Sequence, residues 1–176
     1  VSTIIIYIMT IKRKSIKNLI LDVDGVLNSG QFLYTKDGKF AKVFGPHDND
    51  GIKLLSTMLT VSAISADKRG FAISKKRVAD DMGLSLTLVS EGDRLSWLKK
   101  HFDLKESIYM GDGIYDALIF EHVAYSIAPL SAFYLAREKA DYVTKAKAGE
   151  GAVGEACIHI MKKFFTIPLN LKPLFK

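Results

Sequence analysis

Short runs of apolar, mostly branched residues recur along the chain at 18–23, 61–64, 86–89, 107–110, 123–127 and 141–143, each broken off by a polar turn. Runs of this length suit buried β-strands and are too short for helices. Longer stretches between them, 52–59, 72–82, 93–102, 131–139 and 153–165, read as helices. Asn49 or Asp48 is the expected N-cap of 52–59, Gly83 the C-cap of 72–82, and Trp97 in 93–102 reads as core. One stretch breaks the alternation. Residues 31–34 and 40–44 are aromatic and branched around Asp37-Gly38, the signal of a β-hairpin. Strands alternating with helices predict an α/β fold: a doubly wound, mainly parallel, Rossmann-like sheet with a small β-hairpin. The gaps between strands hold one helix each, so no cap domain is expected.

At 176 residues the chain suits one domain with a substantial core. The predicted domain covers 17–165, with an N-terminal extension at 1–16 and a tail at 166–176. The formal charge of +6 points toward nucleic acid until its distribution is considered. Lys12, Arg13, Lys14 and Lys17 precede the first acid, and Lys162, Lys163, Lys172 and Lys176 follow the last. Removing those eight leaves the span between at −2, so no nucleic-acid partner is expected. The apolar opening 1–11 has no basic stretch ahead of it and is too short to span a bilayer, so neither a signal nor a membrane anchor is expected. The single cysteine, Cys157, reads as a small buried residue and asks for no oxidising compartment, which fits a cytoplasmic protein.

The chemistry gathers at strand ends. Asp22 and Asp24, spaced by two and followed by Gly25, leave the first strand pointing the same way. Two carboxylates so close repel each other unless one holds a proton or a cation sits between them. Oxygen donors of this kind suit magnesium. Ser65, after the second strand, and the Ala66 amide beyond it can donate to a phosphate oxygen. Asp112 stands at the tip of the strand 107–110, with Asp116 four residues on, facing back from the first turn of a helix. His47 and Asp48 lie in a loop where a substrate could be met, although a helix cap needs the same residue types.

The combination Asp22-Val23-Asp24-Gly25 with Gly111-Asp112 through Asp116 resembles the haloacid dehalogenase-like phosphatases. The resemblance implies that Asp22 is the nucleophile and Asp24 the general acid and base. It also implies that Asp22, Asp112 and the Asp24 carbonyl hold Mg2+, with Asp116 supporting the site from behind. A cation, usually lysine, is expected near the start of the helix 93–102; Arg94 is the only one there, and Lys68 is the alternative. Without a cap, the chain is similar to the 3-deoxy-D-manno-octulosonate 8-phosphate phosphatase branch. That branch implies a sugar-acid phosphate substrate and a homotetramer whose hairpins form a central barrel. Two departures set it apart: Ala66-Asp67 stands where that branch has Gly-Arg, and Glu150 and Gly154 stand where it has a basic residue in the last glycine loop and an Arg soon after. An acylneuraminate 9-phosphate or a related nonulosonate is therefore an equal candidate. A non-catalytic oligomerisation module and a phosphate-accepting receiver domain are rival classes, disfavoured by the complete set of acids.

Overall fold

A computed structural model describes residues 15–165. The expected tail at 166–176 and all but Ser15 and Ile16 of the expected extension lie outside those residues. Six strands form one parallel sheet in the order β5-β4-β1-β6-β7-β8. They are β1 Asn18–Asp22, β4 Thr60–Ser65, β5 Ser85–Leu88, β6 Ser107–Met110, β7 Tyr125–Ala128 and β8 Tyr142–Val143. The chain starts in the middle of the sheet, builds outward to β5, then returns to pair β6 with β1. Strand order reverses there, which opens a crevice at the carboxyl ends where such sheets bind ligands.

Both faces of the sheet are covered, so alternate residues of one strand enter different cores. Leu19 and Leu21 of β1 pack with Ile52, Leu55, Val78, Val153 and Cys157, whereas Ile20 packs with Tyr109, Leu98, Ala117 and Ala136 on the other side. The first face is built by α1 His47–Leu55, α2 Phe71–Ser74 with its wider continuation Lys75–Asp81, and α6 Ala152–Ile160 running on through Met161–Phe165. The second is built by α3 Arg94–His101, α4 Ile114–Phe120 and α5 Tyr134–Lys139. Trp97 packs against that second core and stacks on His101, with ring centres 4.2 Å apart.

The predicted hairpin is β2 Asn28–Thr35 and β3 Gly38–Phe44, turning at Lys36 and Asp37. No insertion large enough for a cap domain separates any two strands among the described residues. The expected caps of the first helix are corrected. Helix α1 begins at His47, with Pro46 rather than Asn49 or Asp48 at the cap position. Asp48 lies inside the first turn, where its Oδ1 accepts the Gly154 amide of α6 at 3.0 Å. The two helices cross closely: a Cβ on Gly51 would stand 2.7 Å from the Gly154 Cα.

Candidate active site

Register assembles the site. Asp22 lies opposite Ile64 of β4, and Leu21 opposite Met110 of β6. Ser65 and Asp112 therefore emerge one or two residues past the same edge as Asp22. The chain leaves β1 through a tight turn, Val23–Leu27, in which Gly25 takes φ of +82°. A side chain at Gly25 would put its Cβ 2.0 Å from Asp112 Oδ2, so only glycine lets the turn pass beside that carboxylate.

One oxygen each of Asp22, Asp112 and Asp116 lies within 4.8 Å of the others. Burial raises the Asp22 pKa well above the ordinary carboxylate value; Arg94 opposes the shift, while Asp116 and Asp112 add to it. Asp112 is pushed up to about 7, first by burial and then by the charge of Asp116. Asp116 is fully engaged. Its Oδ1 accepts from Arg94 at 2.6 Å and from the Tyr109 hydroxyl at 2.6 Å, and its Oδ2 accepts the amides of Asp112 and Gly113 at 3.0 and 2.8 Å. Asp22 and Asp112 thus retain lone pairs that Asp116 has spent. An all-oxygen cluster with excess negative charge and raised proton affinity fits a hard divalent cation such as magnesium.

Arg94, at the first turn of α3, is buried beneath the cluster. Its Nη1 donates to Asp22 Oδ2 at 3.0 Å, and its Nε has no partner among the described residues. Lys68 lies instead on the exposed rim. Asp24 accepts from Asn28 Nδ2 at 2.7 Å and from the Lys42 ammonium at 2.7 Å on Oδ1, and from the Ser65 hydroxyl at 3.0 Å on Oδ2. Ser65 spends its one proton on Asp24 here, so it must rotate to meet a phosphate oxygen. Asp22, Asp24, Arg94, Asp112 and Asp116 border a cavity of 490 Å³, walled by Phe32, Tyr34 and Lys39 of the hairpin, by residues 66–69 and by Ile114 and Tyr115. That volume suits a small-molecule site. His47 and Asp48 do not line it: His47 is exposed beside the glycine loop, and Asp48 is occupied in joining α1 to α6. Asn28, Lys42 and Tyr109 have no local motif to mark them, because each acquires its role through a turn, a strand pairing or a neighbouring strand.

No family model matches the chain. The 3-deoxy-D-manno-octulosonate 8-phosphate phosphatase of Escherichia coli strain K12 is 31% identical over 151 residues, covering 83% of this chain and 79% of that protein. The chain belongs to the 3-deoxy-D-manno-octulosonate 8-phosphate phosphatase family. As a member of this capless haloacid dehalogenase-like branch it is a phosphoric monoester hydrolase. Two solved family members share the architecture. The Moraxella catarrhalis phosphatase, in complex with magnesium, phosphate and KDO, has a TM-score of 0.76 and 27% identity over 94% of this chain and 96% of its own. The cobalt-bound Haemophilus influenzae enzyme has a TM-score of 0.78 and 26% identity over 94% of this chain and 99% of its own.

Proposed function

We propose that the chain is a magnesium-dependent phosphomonoesterase acting on a sugar-acid phosphate, either 3-deoxy-D-manno-octulosonate 8-phosphate or a related nonulosonate phosphate such as an acylneuraminate 9-phosphate. A carboxylate oxygen of Asp22 attacks phosphorus, and the phosphorus–oxygen bond to the sugar breaks. Asp24 gives the departing sugar oxygen a proton. Asp24 then takes a proton from the water that attacks the aspartyl phosphate, and release of inorganic phosphate restores Asp22. Arg94, a rotated Ser65 hydroxyl and the Ala66 amide face the phosphoryl oxygens. Arg94 brings the unpartnered Nε to this task. Asp22, Asp112 and the Asp24 carbonyl would hold magnesium, with Asp116 fixing Asp112 and Arg94 from behind. The bound ion offsets negative charge on the phosphoryl group.

The convergence of Asp22, Asp24, Arg94 and Asp112 on one cavity, with Ser65 buried behind Asp24, carries this reading. Lys68 and Arg69, exposed on the cavity rim with no carboxylate partner among the described residues, suit an anionic group on the sugar. The exposed apolar outer face of the hairpin suits a homotetramer. The enzyme is taken as cytoplasmic, with neither nucleic acid nor membrane as a partner; among the described residues no helix is long and apolar enough to cross a membrane. Phosphate release from a panel of sugar-acid phosphates, with magnesium or chelator, tests the proposal. Asp22→Asn is expected to lower turnover by at least about 1,000-fold while the protein stays folded; normal turnover in that variant would overturn the mechanism.

A further inference from the structure

The hairpin reaches into the chemistry through one side chain. Lys42 of β3 has a side chain 0% exposed. Its ammonium meets Asp24 Oδ1 at 2.7 Å, Asp67 Oδ2 at 2.8 Å and Ser74 Oγ at 2.8 Å. An ammonium has three protons, so every donor is matched and none remains for a substrate. Lys39 of the same strand also pairs with Asp67, and its ammonium lies 3.3 Å from the centre of the Phe32 ring. The second Asp67 oxygen accepts the Gly70 amide at 3.1 Å. Two ammonium groups thus balance Asp24 and Asp67.

Residues three apart on a regular strand face opposite ways. A bulge cancels that parity here. Leu33 lies opposite Ala41 and Tyr34 opposite Lys39, which leaves Phe40 without a partner across the hairpin. Lys39 and Lys42 can then both reach a single oxygen of Asp67, while Phe40 stands out to solvent. Bulges beside functional sites redirect side chains in this way.

From this geometry we infer that Lys42 is the positioning residue that fixes Asp24 for proton transfer, anchored in turn by Asp67 and Ser74. Asn28 and Lys42 hold Oδ1, which leaves Oδ2, met only by the rotatable Ser65 hydroxyl, as the oxygen that exchanges a proton. The inference rests on the catalytic role proposed for Asp24. Losing the Lys42 charge still leaves Asp24 with Asn28 and Ser65, and Asp67 with Lys39 and Gly70, so Lys42→Met does not strand an unpaired carboxylate.

The test uses the full-length enzyme with magnesium, comparing a sugar-acid phosphate with p-nitrophenyl phosphate, whose leaving group departs without needing a proton. With p-nitrophenyl phosphate, Lys42→Met should release one p-nitrophenol per site in a rapid burst and then turn over about 100-fold or more slowly, because only the second half of the cycle needs Asp24. On the sugar-acid phosphate both halves should slow, with KM unchanged. Asp24→Asn sets the reference pattern. If Asp24→Asn separates burst from steady state but Lys42→Met slows both together, or slows neither, the role of Lys42 is overturned. If Asp24→Asn itself shows no separation, the catalytic reading fails instead. Should Lys42→Met not fold, Asp67→Asn decides: a weaker version of the same split, about tenfold, supports the inference, and its absence overturns it.

Discussion

At Gly25 a single hydrogen atom decides whether the acidic cluster can form. Its φ of +82° is a conformation that costs other residues about 1–2 kcal/mol, and an added Cβ would also strike the Asp112 carboxylate. Gly25→Ala is therefore expected to lose more function than stability. Displacing Asp112 by about an ångström should reduce turnover by about 100-fold and weaken magnesium binding, while the melting transition stays cooperative. Magnesium titration by calorimetry alongside phosphate release checks this; wild-type affinity in the variant would contradict it. The acids themselves were legible in the sequence because each follows an apolar run at a fixed spacing. What those acids do to one another was not. Asp116 accepts four hydrogen bonds, one of them from Tyr109 on the adjacent strand, whose phenol is kept protonated by burial and by the Asp116 charge. No spacing rule contains that contact.

The strands and most helices follow the hydrophobic pattern closely, and the first helix shows where the pattern stops being enough. Its opening turn, His47-Asp48-Asn49-Asp50-Gly51, is made of weak helix formers and reads as a loop. Tertiary contact overrides that preference: Gly51 lets α1 lie against Gly154, and Asp48 accepts the Gly154 amide. The cost appears in the Asp48 carboxyl, whose pKa burial raises despite the amides of Gly154 and Val153. An acid whose folded-state pKa is raised contributes most stability below its unfolded value and loses it as pH rises toward the folded value. Asp48→Asn keeps an oxygen for Gly154 and removes the buried charge. The variant should melt above the wild type at pH 7 and converge with it near pH 4, without a change in KM. A raised KM would assign Asp48 to the substrate after all.

The molecule is a phosphatase core with an open site, and among the described residues the hairpin is the only insertion near it. Its inner face supplies Lys39, Lys42 and the Phe32 and Tyr34 walls, whereas Leu33, Phe40 and Val43 expose 45%, 58% and 48% of their surface. Apolar groups so exposed on a short two-stranded ribbon need cover, and a two-stranded hairpin alone is marginally stable in water. Four such ribbons meeting in a barrel would bury them and would bring a neighbour to each cavity mouth. Phe40 is the sharpest probe, since it is unpaired in the ladder and its side chain stands out to solvent. Phe40→Asp places a charge in the proposed barrel while leaving Asp22, Asp24 and Asp112 untouched. Sedimentation should then show smaller species, and kcat/KM for the sugar-acid phosphate should fall about tenfold or more as the neighbour's cover is lost. Turnover of p-nitrophenyl phosphate should survive, because the small substrate needs only the core that each chain carries. A variant that sediments like the wild type would overturn the proposed hairpin barrel, and a smaller species with undiminished kcat/KM would show that one chain completes the site by itself.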